Sequence, residues 1–129
     1  MSRELRILYV DDEADIRSIV EFALEDEEDF HLELCDSGQD AINRATEFDP
    51  DMILLDVMMP GMDGPTTLQH LREIPALAET PVVFVTAKVQ PHEVERFKQL
   101  GAAHVIGKPF DPMSLATMIR ETWERGVHA

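Results

Sequence analysis

Short apolar runs alternate with stretches of helical spacing along the whole chain. The runs are Leu5–Val10, Phe30–Cys35, Met52–Asp56, Pro81–Thr86 and Ala103–Gly107, all of strand length. The third and fourth are almost continuously apolar, as expected of strands covered on both faces of a sheet, whereas Phe30–Cys35 alternates. Between them, apolar residues recur at three- and four-residue intervals. Ile16, Ile19, Val20, Ala23 and Leu24 form one buried helical stripe, and Ala41, Ile42 and Ala45 a second. Leu68 with Leu71 marks a third, Val94, Phe97 and Leu100 a fourth, and Leu115, Met118, Ile119, Thr122 and Trp123 a fifth.

Breakers and caps fall between these elements. Asp12 sits where a cap of the first helix would sit, and Ser37-Gly-Gln-Asp40 has the capping-box pattern that opens the second. Asp49-Pro50 closes that helix, because the residue before proline is steered out of helical geometry. Asp63-Gly-Pro65 caps the third helix and Pro75 stops it; Pro91 suits the first turn of the fourth, which Gly101 ends. Asp111-Pro112 caps the fifth. The acidic run Glu25–Asp29 reads as a solvated loop without a specific task. Strict alternation of strand and helix demands an α/β fold: a doubly wound parallel sheet of five strands with five helices on two faces. One domain over residues 1–129 is expected, with no repeat or low-complexity linker.

Ligands of such sheets bind beyond the carboxyl ends of the strands. Polar groups gather at four of those ends: Asp11 and Asp12 after the first strand, Asp56 closing the third, Thr86 closing the fourth and Lys108 after the fifth. Three acids, a hydroxyl and an ammonium make a site for a divalent cation and a phosphoryl group, with Asp56 as the reactive carboxylate. Each has a plainer reading alone. Asp11-Asp12 can be a helix cap, Asp56 a turn aspartate, Thr86 a strand-end hydroxyl and Lys108 a solvated side chain. All four plain readings would have to hold together for the site to vanish.

In order and spacing, Asp11-Asp12, Asp56 with Met59-Pro60-Gly61-Met62-Asp63-Gly64, Thr86-Ala87 and Lys108-Pro109-Phe110 resemble the motifs of receiver domains of two-component response regulators. The resemblance covers essentially the whole chain and implies a flavodoxin-like sheet of order 2-1-3-4-5. It further implies that a histidine kinase or histidine phosphotransfer protein gives its phosphoryl group to Asp56, the receiver catalysing the transfer and its own slow dephosphorylation rather than acting as a classical enzyme. Magnesium, or manganese in its place, would be held by Asp12, Asp56 and the backbone carbonyl of Met58, with Asp11 acting largely through water. Lys108 and Thr86 would contact phosphoryl oxygens, Ala87 would leave room for the group and offer its N–H, and the Lys108–Pro109 peptide would be cis.

The same resemblance implies that an effector protein reads the change through the surface of strand four, helix four and strand five. Many relatives carry Tyr or Phe three positions before this lysine. Here that residue is Val105, so an aromatic ring turning inward is not the switch, and His104 beside it should point to the opposite face. Two other readings stand beside this one. A pseudo-receiver would bind partners without acquiring phosphate, and a magnesium-dependent phosphatase of the haloacid-dehalogenase type would need a second aspartate where this chain has Met58.

Composition narrows the partners. A 129-residue chain with 44% hydrophobic content is large enough for one core, burying roughly two thirds of its unfolded surface. A formal charge of −15 argues against direct binding to nucleic acid or to anionic membranes. The single Cys35 excludes an intramolecular disulfide, and His31, His70, His92, His104 and His128 lack metal-ligand spacing, so they read as surface or packing residues. Met52, Met58, Met59 and Met62 read as gap fillers, those near Asp56 bordering a partner surface. With charged residues at the N-terminus and no long apolar run, a cytoplasmic protein is expected. Met1 so near the first strand tilts the reading toward a stand-alone receiver rather than the N-terminal piece of a longer regulator.

Overall fold

The computed structural model describes residues 4–127, and His128 lies outside them. Five parallel strands, β1 (Leu5–Val10), β2 (Phe30–Cys35), β3 (Met52–Asp56), β4 (Val82–Thr86) and β5 (His104–Gly107), pair in the order β2-β1-β3-β4-β5. They alternate with α1 (Ala14–Leu24), α2 (Gly38–Phe48), α3 (Gly64–Arg72), α4 (Pro91–Gln99) and α5 (Leu115–Val127). This is the doubly wound α/β architecture that the hydrophobic pattern demands.

Burial follows position in the sheet. All residues of β3 and β4 are buried, while the edge strands β2 and β5 are only partly covered. Alternate side chains feed two cores. On one face Leu8, Val10, Ile53, Leu55 and Phe84 pack with Ala41, Ala45 and Phe48 of α2, Leu68 and Leu71 of α3 and Phe97 of α4. On the other, Ile7, Tyr9, Leu54, Val83 and Ile106 meet Val20 and Leu24 of α1 and Leu115 and Ile119 of α5. At about 2 kcal/mol for each fully buried large aliphatic side chain, the central strands anchor the scaffold and fix where they end.

Ile19 and Leu100 are exposed, not buried, because each helix presents only a narrow strip to the sheet and these residues lie beyond its edge. The cap of α1 is Glu13 rather than Asp12, and the Glu13 N–H is taken by Asp11 Oδ1 at 2.9 Å. Ser37 does cap α2, accepting from the Asp40 N–H at 3.0 Å, while the Asp40 carboxylate takes the Asp36 N–H at 3.2 Å. The acidic run Glu25–Asp29 is more than a solvated loop. Arg120 of α5 donates to Glu27 and Asp29, both at 2.7 Å, and lies over the Phe30 ring. Met52 and Met59 are core residues, whereas Met58 is exposed.

Candidate functional site

The carboxyl ends of β1, β3 and β5 bring acids and a lysine to one place. Asp11, Asp12 and Asp56 each direct a carboxylate oxygen into a cluster within 4.8 Å of one another. Asp11 and Asp56 are buried and Asp12 is exposed, so the cluster opens to solvent on one side. Lys108 reaches in from the end of β5, its Nζ 2.9 Å from Asp11 Oδ2 and 3.1 Å from Asp56 Oδ1, with Glu13 Oε1 at 3.7 Å. The peptide between Lys108 and Pro109 is cis.

Local folding sets each group. β3 ends at Asp56, and the chain then runs through the Pro60–Gly61 turn to Asp63, whose carboxylate caps α3 by accepting from the Thr66 N–H at 2.9 Å. At Gly64 this return passes so close that a Cβ would lie 2.6 Å from the Asp56 carbonyl oxygen, which only glycine permits. Thr86, fully buried at the end of β4, accepts the Lys88 N–H at 3.0 Å, while Ala87 is exposed. Met58 lies two residues past Asp56 with its side chain in solvent. Val105 packs on the α4 side of the sheet, and His104, half-buried, borders a cavity with Thr122 and Arg125 of α5. Those two neighbours therefore face opposite ways.

The electrostatics are those of crowded acids. Burial first, and then the charge of Asp11, pushes the Asp56 carboxyl up to about 6 against the opposing pull of Lys108. Burial also works against the Lys108 ammonium, yet its bond to Asp11 and the charges of both acids outweigh this and raise its pKa. A hard divalent cation with several water ligands suits such a set: oxygen donors only, excess negative charge and one open side. Two residues at the site escaped sequence reading. Tyr9 donates from its buried hydroxyl to Asp11 Oδ2 at 3.0 Å, and Arg17 donates to the Asp11 carbonyl at 2.6 Å. The first was legible as an i, i+2 pair on one face of a strand.

Residues 7–120 match the family model described as the response regulator receiver domain. The chain belongs to the response regulator receiver domain family. Among curated relatives, this receiver is 38% identical over 120 residues to the phosphate regulon transcriptional regulatory protein PhoB of Escherichia coli, covering 93% of this chain and 52% of PhoB. It is 34% identical over 125 residues to response regulator Rre1 of Synechocystis, covering 97% of this chain and 54% of Rre1. The receiver thus spans about half the length of these relatives. Among solved structures, chemotaxis response regulator CheY4 of Vibrio cholerae superposes with a TM-score of 0.85 at 28% identity, over 92% of this chain and 98% of that one. Among the described residues, no helix is long and apolar enough to cross a membrane.

Proposed function

We propose that this receiver takes a phosphoryl group onto Asp56 from the phosphohistidine of a histidine kinase or histidine phosphotransfer protein. The observation that supports it is one lysine amine within 3.1 Å of both a buried acid and the prospective nucleophile, inside a three-carboxylate cluster. An Asp56 carboxylate oxygen attacks phosphorus, the N–P bond of the donor breaks, and the imidazole leaves with the electron pair and picks up a proton. The product is an acyl phosphate, hydrolysable and so suited to a signal of limited lifetime.

Asp12, Asp56 and the Met58 carbonyl are the groups that would hold magnesium, with Asp11 acting through water. Once bound, the ion supplies charge neutralisation for the acids and the incoming phosphoryl oxygens. Lys108 is the point charge for one phosphoryl oxygen, and the Thr86 hydroxyl is free to donate to another because it already accepts from Lys88. Ala87, small and exposed beside Thr86, leaves space for the group. The output reads the loop after β4, α4 and β5, with an effector protein as partner in the cytoplasm. Residues 1–129 act as one receiver unit and not as a classical enzyme.

Intact mass after incubation with acetyl phosphate and magnesium tests the proposal. A gain of one phosphoryl mass on the parent and none on Asp56→Asn is expected; no gain on the parent would leave a partner-binding pseudo-receiver.

A further inference from the structure

Asp11 is tightly engaged by protein donors. Its two oxygens receive three protein donors: Glu13 N–H on Oδ1 at 2.9 Å, and on Oδ2 both Tyr9 O–H at 3.0 Å and Lys108 Nζ at 2.9 Å. A carboxylate has about four lone-pair sites, so three of them are occupied by the protein alone. Tyr9 is itself fully buried, with its ring in the core between the sheet and helices α1 and α5. A phenol placed there could have been phenylalanine for packing purposes; among the described residues its hydroxyl has this one carboxylate as partner.

We propose that Tyr9 is a positioning residue that sets how Lys108 divides its charge between Asp11 and Asp56. This rests on the phosphoacceptor reading above. Tyr9 O–H and Lys108 compete for one oxygen, Asp11 Oδ2, and a donor already on that oxygen weakens its pull on the ammonium. Lys108, only 0.2 Å farther from Asp56 Oδ1 at 3.1 Å than from Asp11 Oδ2 at 2.9 Å, is thereby left available to follow the group that arrives on Asp56. Without the hydroxyl, Asp11 and Lys108 pair more closely and the lysine serves the phosphoryl oxygens less well. The freed lone pair also leaves Asp11 less satisfied, so a divalent cation is drawn in more strongly.

Tyr9→Phe separates these effects from a merely loosened core, since a loosened site would weaken cation binding and transfer together. In the unphosphorylated protein, magnesium affinity followed by NMR titration is expected to rise two- to fivefold. At saturating magnesium and acetyl phosphate, the rate of phosphorylation is expected to fall three- to tenfold. In a Lys108→Ala background, Tyr9→Phe should change that rate by less than twofold, because the lysine through which it acts is gone. Weaker magnesium binding in Tyr9→Phe, an unchanged phosphorylation rate, or an equal loss in both backgrounds would overturn the assignment. Failure of the parent protein to acquire phosphate would instead sink the phosphoacceptor reading, and the NMR titration would still report on Tyr9.

Discussion

Asp56 carries a cost in the cation-free protein that can be measured without any partner. A carboxyl pushed up to about 6 by burial and by Asp11 holds its proton more tightly in the folded than in the unfolded chain. Above that pH both states are ionised and the penalty on folding is complete. As pH falls toward the ordinary carboxylate value near 4, the folded state takes up a proton that the unfolded state has not, and the penalty fades. Asp56→Asn removes the charge while Lys108 keeps its bond to Asp11. Each tenfold difference in proton affinity between the two states corresponds to about 1.4 kcal/mol, so urea unfolding in EDTA at pH 7.5 should show the variant more stable by about 1–3 kcal/mol. That gap should close toward pH 4. A variant equal to or weaker than the parent at pH 7.5 would mean that Lys108 fully compensates the burial.

Two contacts of different legibility hold elements of the fold, one beside the site and one away from it. Gly64 opens α3 against the backbone of Asp56 and Val57, where a Cβ would lie 2.6 and 2.8 Å from backbone atoms that cannot swing away. Gly64→Ala is expected to cost about 1–3 kcal/mol, read as a lowered urea midpoint, and to slow the proposed phosphoryl transfer to Asp56 because the strand end must shift. Arg120→Ala removes the bonds from α5 to Glu27 and Asp29 ahead of β2, while the packing of α5 through Leu115 and Ile119 stays in place. Its half-exposed pairs are worth about 1 kcal/mol at low salt and less at high salt, so the loss should shrink when the unfolding is repeated in about 0.5 M NaCl. The strands and their order of burial could be read from the chain because an unbroken apolar run has one good home, the middle of a parallel sheet. The Arg120 pairing could not: its partners lie 91 and 93 residues away, and nothing local in Glu25–Asp29 points to α5. Ile19 and Leu100 failed for a related reason, since helical spacing tells which side chains share a face but not how wide a strip the sheet covers. The acids and the lysine were legible because they stand directly after apolar runs, whereas their mutual distances depend on sheet order, which periodicity alone leaves open.

Across the whole molecule the charge is unevenly spread. The entire net charge of −15 falls in residues 1–64, with nineteen acids against four bases, while residues 65–129 balance at seven of each. Strands β1, β2 and β3 with α1 and α2 thus make an acidic side, against which α5 packs beside α1 with Arg120 on Glu27 and Asp29, while β4 and β5 with α3 and α4 belong to the balanced half of the chain. The acid cluster of the site lies where the two meet. Repulsion on the acidic side is general and screened by any salt, whereas the strain of Asp11, Asp12 and Asp56 is local and, under the proposed cation site, would answer to an ion of the right charge and ligand preference. Sodium chloride should raise the melting temperature smoothly in the parent and in Asp12→Asn alike. Magnesium at matched ionic strength should add a further rise in the parent, about 1.4 kcal/mol when the ion stands at ten times its dissociation constant, or a few degrees for a chain of this length. Asp12→Asn, which removes the exposed acid of the cluster without touching the core, should lose most of that surplus while keeping the sodium response. If magnesium stabilised both proteins equally at matched ionic strength, its effect would be screening of the acidic side, and the three carboxylates would not be holding a cation as a unit.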